Sequence, residues 1–407
     1  MSTSFPRENI KIVFIEKIHA AARTTLQEAG YKVDPIDDAL DGEQLFEAIK
    51  DAHIIGVRSR TKLTSAALSK TRRLLAVGCF SVGTDQVDLN SALSLGAPVF
   101  NAPHSSTRSV AELAIGSVLM LARRAFEKSH KLHMGVWDKS ISGAIEVRGK
   151  TIGIIGYGHI GQQVGLLAES LGMQVLFYDI KKKLPLGNSR PMPSLDTLLA
   201  ESLFVTLHIP GNDQTNNLIG KAELDKMPRG GFLLNLARGK IVEITALKQA
   251  LQSGQIGGAA LDVFPVEPAN TVCETTLDLA DIQNVILTPH IGGNTEEAQR
   301  NIGKEVANSL INFIELGNTE GAVNFPSVNL PHFPGAHRIL NIHKNVPGAL
   351  SEINQIVSGI GANIESQYLS TYKDIGYLIM DVNRDLSGEV KSKIEKSSVN
   401  LKTRVLY

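Results

Sequence analysis

The sequence predicts an α/β protein made of two doubly wound parallel-sheet lobes and a smaller α+β domain at the end of the chain. Three observations carry that expectation. Apolar, β-rich runs alternate with helix-patterned stretches along most of the 407 residues, an order that implies parallel strands covered by helices. A glycine pattern, GYGHIG, stands directly after one of those runs. Pro326, Pro331 and Pro334 then gather where periodicity is lost, and a different order of elements follows.

The first set of runs is IKIVFIE, AARTTLQEAG, YKVDPI, GEQLFEAIK, AHIIGVRS and LLAVGCF, alternately strand-like and helix-like. From Ser105 to Gly135 an apolar pattern continues without proline, which predicts one long helix separating the lobes. A second set begins with TIGIIGYG and runs through HIGQQVGLLAESLG, MQVLFYD, LFVTLHI, GFLLNLA and GGAALDVF. After the strand NVILTPH, the helical EEAQRNIGKEVANSLINFIELG is placed to cross back and finish the first lobe. The expected domains are 1–104 with 291–325, an inserted lobe 105–290, a linker 326–336 and a tail 337–407. In the tail, HRILNIH, PGALSEINQIVSGIG, NIESQYLS, GYLIMDV, GEVKSKIEKSS and LKTRVLY read strand, helix, strand, strand, helix, strand. That is the order of a ferredoxin-like sandwich. A domain of about 70 residues folds alone with a thin margin.

Composition narrows the function classes. The 41 Lys plus Arg are balanced by 41 Asp plus Glu, so no net field draws nucleic acid or an anionic membrane, and neither is expected as a partner. No basic-then-apolar leader opens the sequence and no apolar run of about 18 residues occurs, which makes a cytoplasmic enzyme the expectation. Cys79 and Cys273 lack CxxC or histidine-flanked spacing, so neither a disulfide framework nor a metal site is expected.

In TIGIIGYGHIG, Gly156, Gly158 and Gly161 form GxGxxG between an apolar strand and a helix. The first glycine permits a tight turn, the second lets backbone approach a pyrophosphate, and the third allows close helix-to-strand packing beneath a positive helix end. About twenty residues on, the next strand ends at Asp179, whose carboxylate can accept the ribose hydroxyls of NAD and would repel the extra phosphate of NADP. Lys181, Lys182 and Lys183 follow and could tolerate that phosphate, or simply solvate a turn. Both lobes are expected to be Rossmann-like or flavodoxin-like.

Three polar features each follow an apolar strand: LARGK with Arg238, DVFPVEP with Glu267 and TPHIGG with His290. Carboxyl ends of strands surround the ligand crevice of a doubly wound sheet, so these residues can converge. Hydride transfer from a hydroxy acid needs such a set. Histidine titrates where a neutral-pH base must, and a carboxylate on its other nitrogen fixes the tautomer and raises its pKa. An arginine can take a carboxylate bidentately and polarise the adjacent carbonyl. Singly, each has a bland reading as surface ion pair, loop acid or capped histidine. In GVRSRT, Arg58 and Arg60 flank Ser59 after a strand. Alternate positions of an extended segment point the same way, which suits a phosphoryl dianion.

GYGHIG followed by YD, LLNLARGK, ALDVFPVEP and LTPHIGG, in this order, resembles the signature set of the D-isomer-specific 2-hydroxyacid dehydrogenases, with coverage from Ile10 to Val323. The resemblance implies a substrate-binding lobe built from both ends of that region around an NAD-binding lobe. It assigns Arg238, Glu267 and His290 to catalysis. It adds Tyr157, His159, Ile160, His208, Ala237, Asp262 and Gly292 to the cofactor contacts, and Val82, Gly83 and Asn101 to the substrate contacts. Glu243 stands where the family commonly has aspartate, which keeps the charge. With Arg58, Ser59, Arg60 and a Lys139 donated by a neighbouring subunit, the chain is similar to the serine-inhibited class of that family. Its implied reaction is oxidation of D-3-phosphoglycerate to 3-phosphohydroxypyruvate in L-serine biosynthesis. A homotetramer is implied, with a C-terminal ACT domain in which His343, Asn345 and Asn363 bind L-serine between paired subunits. Two rivals stay open: a glyoxylate or hydroxypyruvate reductase of the same family, which has less need of Arg58, Arg60 and Lys139, and an NAD(H)-sensing, corepressor-like binding protein without turnover. The intact acid and histidine argue against the second.

Overall fold

Short runs of Ile, Val and Phe build the first sheet, from β1 (Ile12–Ile15), β2 (Val33–Ile36), β3 (Ile54–Val57), β4 (Ala76–Cys79) and β5 (Val99–Phe100). The computed structural model describes residues 5–268, 279–331, 335–383 and 386–407; Cys273 and Pro334 lie outside them. All pairings in this sheet are parallel, in the order β2-β1-β3-β4-β5, which is flavodoxin-like. Every residue of β1, β3 and β4 is buried, as for strands covered on both faces. The helix Glu296–Leu316 does cross back, burying Ile302, Val306, Leu310 and Phe313 with Phe14, Phe80 and Phe100. Cys79 is a buried free thiol.

The second sheet contains β6 (Thr151–Ile155), β7 (Gln174–Tyr178), β8 (Arg190–Pro191), β9 (Phe204–Leu207), β10 (Gly231–Asn235), β11 (Ile256–Leu261) and β12 (Val285–Leu287). Its order is β12-β11-β10-β9-β6-β7-β8, so the chain reverses direction of growth at β6, where such sheets bind ligands. The long helix expected before it is broken. Helices Thr107–Arg123 and Ala125–His133 meet at Arg124, whose φ of 49° is left-handed. Arg124 is held there by Glu127, 2.6 Å from its guanidinium, an ion pair that offsets the strain of an αL arginine.

The tail forms β13 (His337–Lys344), β14 (Ile364–Tyr372), β15 (Ile375–Val382) and β16 (Asn400–Leu406), antiparallel in the order β14-β15-β13-β16. One face packs on its own helices through Ile339, Leu378, Met380, Ile353, Val357 and Ile394. The other packs Leu340, Ile342, Tyr377 and Ile379 against Leu93, Phe325 and Val328, which is why β15 is buried along its whole length. Lys402 Nζ donates to the carbonyls of Leu74, Leu95 and Gly96 at 2.7, 2.9 and 3.2 Å, and burial pulls its pKa down to about 8. The tail therefore belongs to the first compact unit, Met1–Ser105 with Glu296–Tyr407, while Ser106–Thr295 is the second. Its thin margin is supplemented by this second buried face. Within the expected linker, Pro326 and Val328 are tied back to Thr319 by hydrogen bonds of 2.6 and 3.1 Å. Among the described residues no helix is long and apolar enough to cross a membrane.

Candidate active site

The glycine turn after β6 is built for a close approach. Gly156 has φ +91°, and a Cβ there would lie 2.4 Å from His208 O. A Cβ on Gly161 would lie 2.2 Å from Gly156 O. Gly158 caps the helix His159–Ser170 without any side-chain cap, and a Cβ there would meet nothing within 4 Å. Open space against a positive helix end suits a pyrophosphate. Asp179 follows β7, its Oδ2 accepting from Tyr157 N at 2.9 Å and its Oδ1 from Lys181 N at 2.8 Å. Those bonds orient a carboxylate that still has lone pairs for two ribose hydroxyls. His208 pairs Nε2 with Thr206 Oγ1 at 3.0 Å, but its buried Nδ1 has no partner among the described residues. Burial pushes its pKa down to about 4, so the ring is neutral and can satisfy a ligand. The residues present thus fit NAD. The ring of Tyr157 is fully buried, stacked on Phe177 at 3.8 Å, with its hydroxyl on Ser189, so its backbone is the part that belongs to the turn.

Strands β10, β11 and β12 deliver the polar residues expected of them. His290 Nδ1 lies 2.8 Å from Glu267 Oε2. That hydrogen bond, outweighing burial, raises the histidine pKa. Burial alone would raise Glu267, yet the His290 bond and charge, the Phe264 N–H and the Arg238 charge hold its carboxyl below the usual range. Arg238 lowers the pKa of both partners, so the three charges share one neighbourhood. Its Nη1 donates to Ala237 O at 2.8 Å.

Two supports for this group are not signalled by residue pattern. His290 sits at φ 55°, a conformation costing a non-glycine residue roughly 1–2 kcal/mol. Asp262, 2% exposed, holds the turn on either side: Oδ1 accepts from Thr288 Oγ1 at 2.5 Å and Ile291 N at 2.9 Å, and Oδ2 from Gly292 N at 2.7 Å. Asp262 and Gly292, expected as cofactor contacts, thereby also present His290. Gly239 packs so closely on Phe264 that a Cβ would lie 1.9 Å from its carbonyl carbon, which locks the arginine turn to the loop carrying Glu267.

In the first unit the substrate loops are joined. Gln86, also buried, donates through Nε2 to Arg58 O and to Ser81 Oγ, and Ser81 Oγ donates to Gly83 O. Asn101 Nδ2 donates to Val82 O at 2.5 Å. The strand alternation expected to align Arg58 with Arg60 does not apply, because the chain bends at Ser59 and Arg60. Arg58 remains half-buried, donating to Lys17 O at 3.3 Å. Lys139, in the second unit, stands over the exposed ring of Trp137 at 5.7 Å.

In the tail, Asn345 and Asn363 are exposed. His343 is 2% exposed, with Nδ1 on Asn341 Oδ1 and Nε2 where a Gly376 Cβ would stand. Asn345 follows the Lys344–Ile375 end of the sheet, and Asn363 precedes the Ile364–Val382 end. By strand rise they are on the order of 20 Å apart in one chain.

Residues 115–292 match the family described as D-isomer specific 2-hydroxyacid dehydrogenase, NAD binding domain, and residues 339–398 the AHAS small subunit-like ACT domain. The chain is 50% identical over 406 residues to a D-3-phosphoglycerate dehydrogenase of Dictyostelium discoideum, spanning 100% of this chain and 99% of that one. It is 48% identical over 407 residues to the enzyme of that name from Escherichia coli K12, spanning 99% of each. Among solved structures it resembles D-lactate dehydrogenase from Aquifex aeolicus complexed with NAD and lactic acid, at TM-score 0.67 and 30% identity over 74% of this chain and 95% of that one. A glyoxylate reductase from Paecilomyes thermophila aligns at TM-score 0.69 and 26% identity over 78% and 99%. The chain belongs to the D-isomer-specific 2-hydroxyacid dehydrogenase family, as an NAD-dependent enzyme with a C-terminal ACT domain.

Proposed function

We propose that the chain oxidises D-3-phosphoglycerate to 3-phosphohydroxypyruvate, the first step of L-serine biosynthesis, and that L-serine inhibits it through the tail. The observation that carries the catalytic half is the 2.8 Å bond between His290 Nδ1 and Glu267. With Nδ1 engaged, Nε2 is the nitrogen free to exchange a proton, and it takes the one on the substrate's C2 hydroxyl. Bound NAD supplies the hydride acceptor. Glu267 stabilises the imidazolium so formed, and Arg238 binds the substrate carboxylate and polarises the C2 oxygen. Backbone amides at Val82 and Gly83, with Asn101, take the rest of the carboxylate end, and Arg58, Ser59 and Arg60 take the phosphoryl group. The turn from Gly156 to Gly161, through Tyr157, Gly158, His159 and Ile160, holds the dinucleotide with Asp179, His208, Ala237, Asp262 and Gly292.

Following NADH with 3-phosphohydroxypyruvate, hydroxypyruvate and glyoxylate tests this reading. Strong preference for the phosphorylated acid is expected. Preference for glyoxylate would make it a reductase of the same family, and silence with every 2-oxo acid would favour a sensor.

A homotetramer is the proposed assembly, in the cytoplasm and without nucleic-acid or membrane partners. The exposed Met134, Trp137 and Ile141 support burial by a second copy, which would bring Lys139 to a neighbour's phosphoryl site. The separation of Asn345 from Asn363 supports a serine site shared by two chains, one contributing each asparagine. His343, two residues before Asn345 on the same strand end, is the third proposed contact to serine, oriented by its bond to Asn341. Asn363→Ala is expected to raise the half-inhibiting serine concentration at least tenfold, on the order of one lost buried polar contact; an unchanged inhibition curve would remove Asn363 from the site.

A further inference from the structure

The loop carrying Arg58, Ser59 and Arg60 is anchored by an acid of no evident use to an anion site. Glu16 follows β1, is 5% exposed and has φ 68°, a conformation that favours glycine and persists elsewhere only when its surroundings hold it. Its own side chain does the holding. Oε1 accepts from Thr61 N at 2.7 Å and from Arg60 N at 3.2 Å, and Oε2 from Arg60 N at 3.1 Å. The loop is pinned further by Thr61, whose Oγ1 accepts from Leu40 N at 3.2 Å, and by Gln86 on Arg58 O.

A carboxylate near a phosphoryl dianion repels it. Selection for charge alone would therefore disfavour Glu16. Its lone pairs, however, are spent on backbone N–H groups, in charge-assisted bonds that fix geometry more firmly than neutral ones. Its charge also favours the protonated form of Arg58 against burial. Both effects serve the placement of the guanidinium groups.

We propose that Glu16 is the positioning residue of the phosphoryl-binding loop: by fixing the N–H groups of Arg60 and Thr61 it sets where Arg58 and Arg60 stand, and so determines the preference for a phosphorylated over an unphosphorylated 2-hydroxy acid. This rests on the phosphoglycerate reading above. Glu16→Gln keeps the volume but turns an amide donor toward a backbone donor, so it disturbs the loop without opening a cavity.

In the full-length enzyme, Glu16→Gln is expected to lower kcat/KM for 3-phosphohydroxypyruvate on the order of tenfold, chiefly through KM, and to lower its ratio to kcat/KM for hydroxypyruvate by a similar factor. Glu16→Asp should restore part of the ratio, and competitive inhibition by inorganic phosphate should weaken in Glu16→Gln. An equal fall for both substrates, or an unchanged ratio and phosphate inhibition, would overturn the proposal. Wild-type enzyme without preference for the phosphorylated acid would instead sink the reading beneath it. If Glu16→Gln does not fold, the Glu16→Asp ratio and its phosphate inhibition decide in the same sense.

Discussion

His290→Ala is expected to lower kcat in both directions by about a hundredfold or more, the range for removal of a general acid-base, while the NADH dissociation constant stays near that of the wild type. The argument is local. The ring is 47% exposed at its side chain and supports no core, so a loss of turnover reports on chemistry; equal turnover in the variant would remove histidine from the mechanism. Glu267→Gln gives the same idea a pH signature. Glu267 raises the His290 pKa, and hydroxy-acid oxidation needs the neutral ring. Oxidation therefore fails as pH falls through the raised value, and reduction, which needs imidazolium, fails as pH rises through it. With the charge removed the pKa drops, so the acid limb of oxidation and the alkaline limb of reduction both move to lower pH in kcat/KM profiles. Limbs that stay in place would show that Glu267 does not tune the base.

How far the site could be read from sequence depended on where each residue's partner lies. Arg238, Glu267 and His290 stand at the carboxyl ends of apolar strands, so the alternation that predicts the sheet also predicts their convergence. The GxGxxG turn was equally open to reading, because its glycines answer to steric demands that no other residue meets. Glu16, Gln86 and the bonding of Asp262 were hidden, since their partners are backbone groups far along the chain, and a side chain bonded to backbone leaves no residue-type signature. Arg58 and Arg60 were aligned by strand parity, which stops at the bend that Glu16 pins. The burial of His343 has no signal in the sequence either, since it follows from β13 being covered on both faces. Arg124 broke a helix that composition gave no reason to break; its ion pair with Glu127 fits any ordinary i,i+3 helical pair.

Gly239→Ala is the substitution expected to do most damage through shape alone. The added methyl would sit 1.9 Å from the carbonyl carbon of Phe264 and 2.0 Å from its oxygen. Both are backbone atoms, and no flexible side chain can turn away to make room. Overpacking in a core typically costs about 1–3 kcal/mol, and a clash with buried backbone belongs at the top of that range or beyond. Relief requires the loop after β11 to move, and that loop carries Glu267, whose Oε1 accepts from Phe264 N at 3.4 Å. Displacement would lengthen the bond to His290 and shift Arg238, the residue before the glycine, so acid-base support and carboxylate binding suffer together. A fall in kcat/KM of a hundredfold or more is expected, larger than Glu267→Gln alone gives, along with a melting temperature lower by several degrees, at roughly 2–4 °C per kcal/mol for a unit of this size. A Gly239→Ala enzyme that melts and turns over like the wild type would mean that the Phe264 loop yields freely, and that the rigid seating of the acid-histidine pair comes from Asp262 alone.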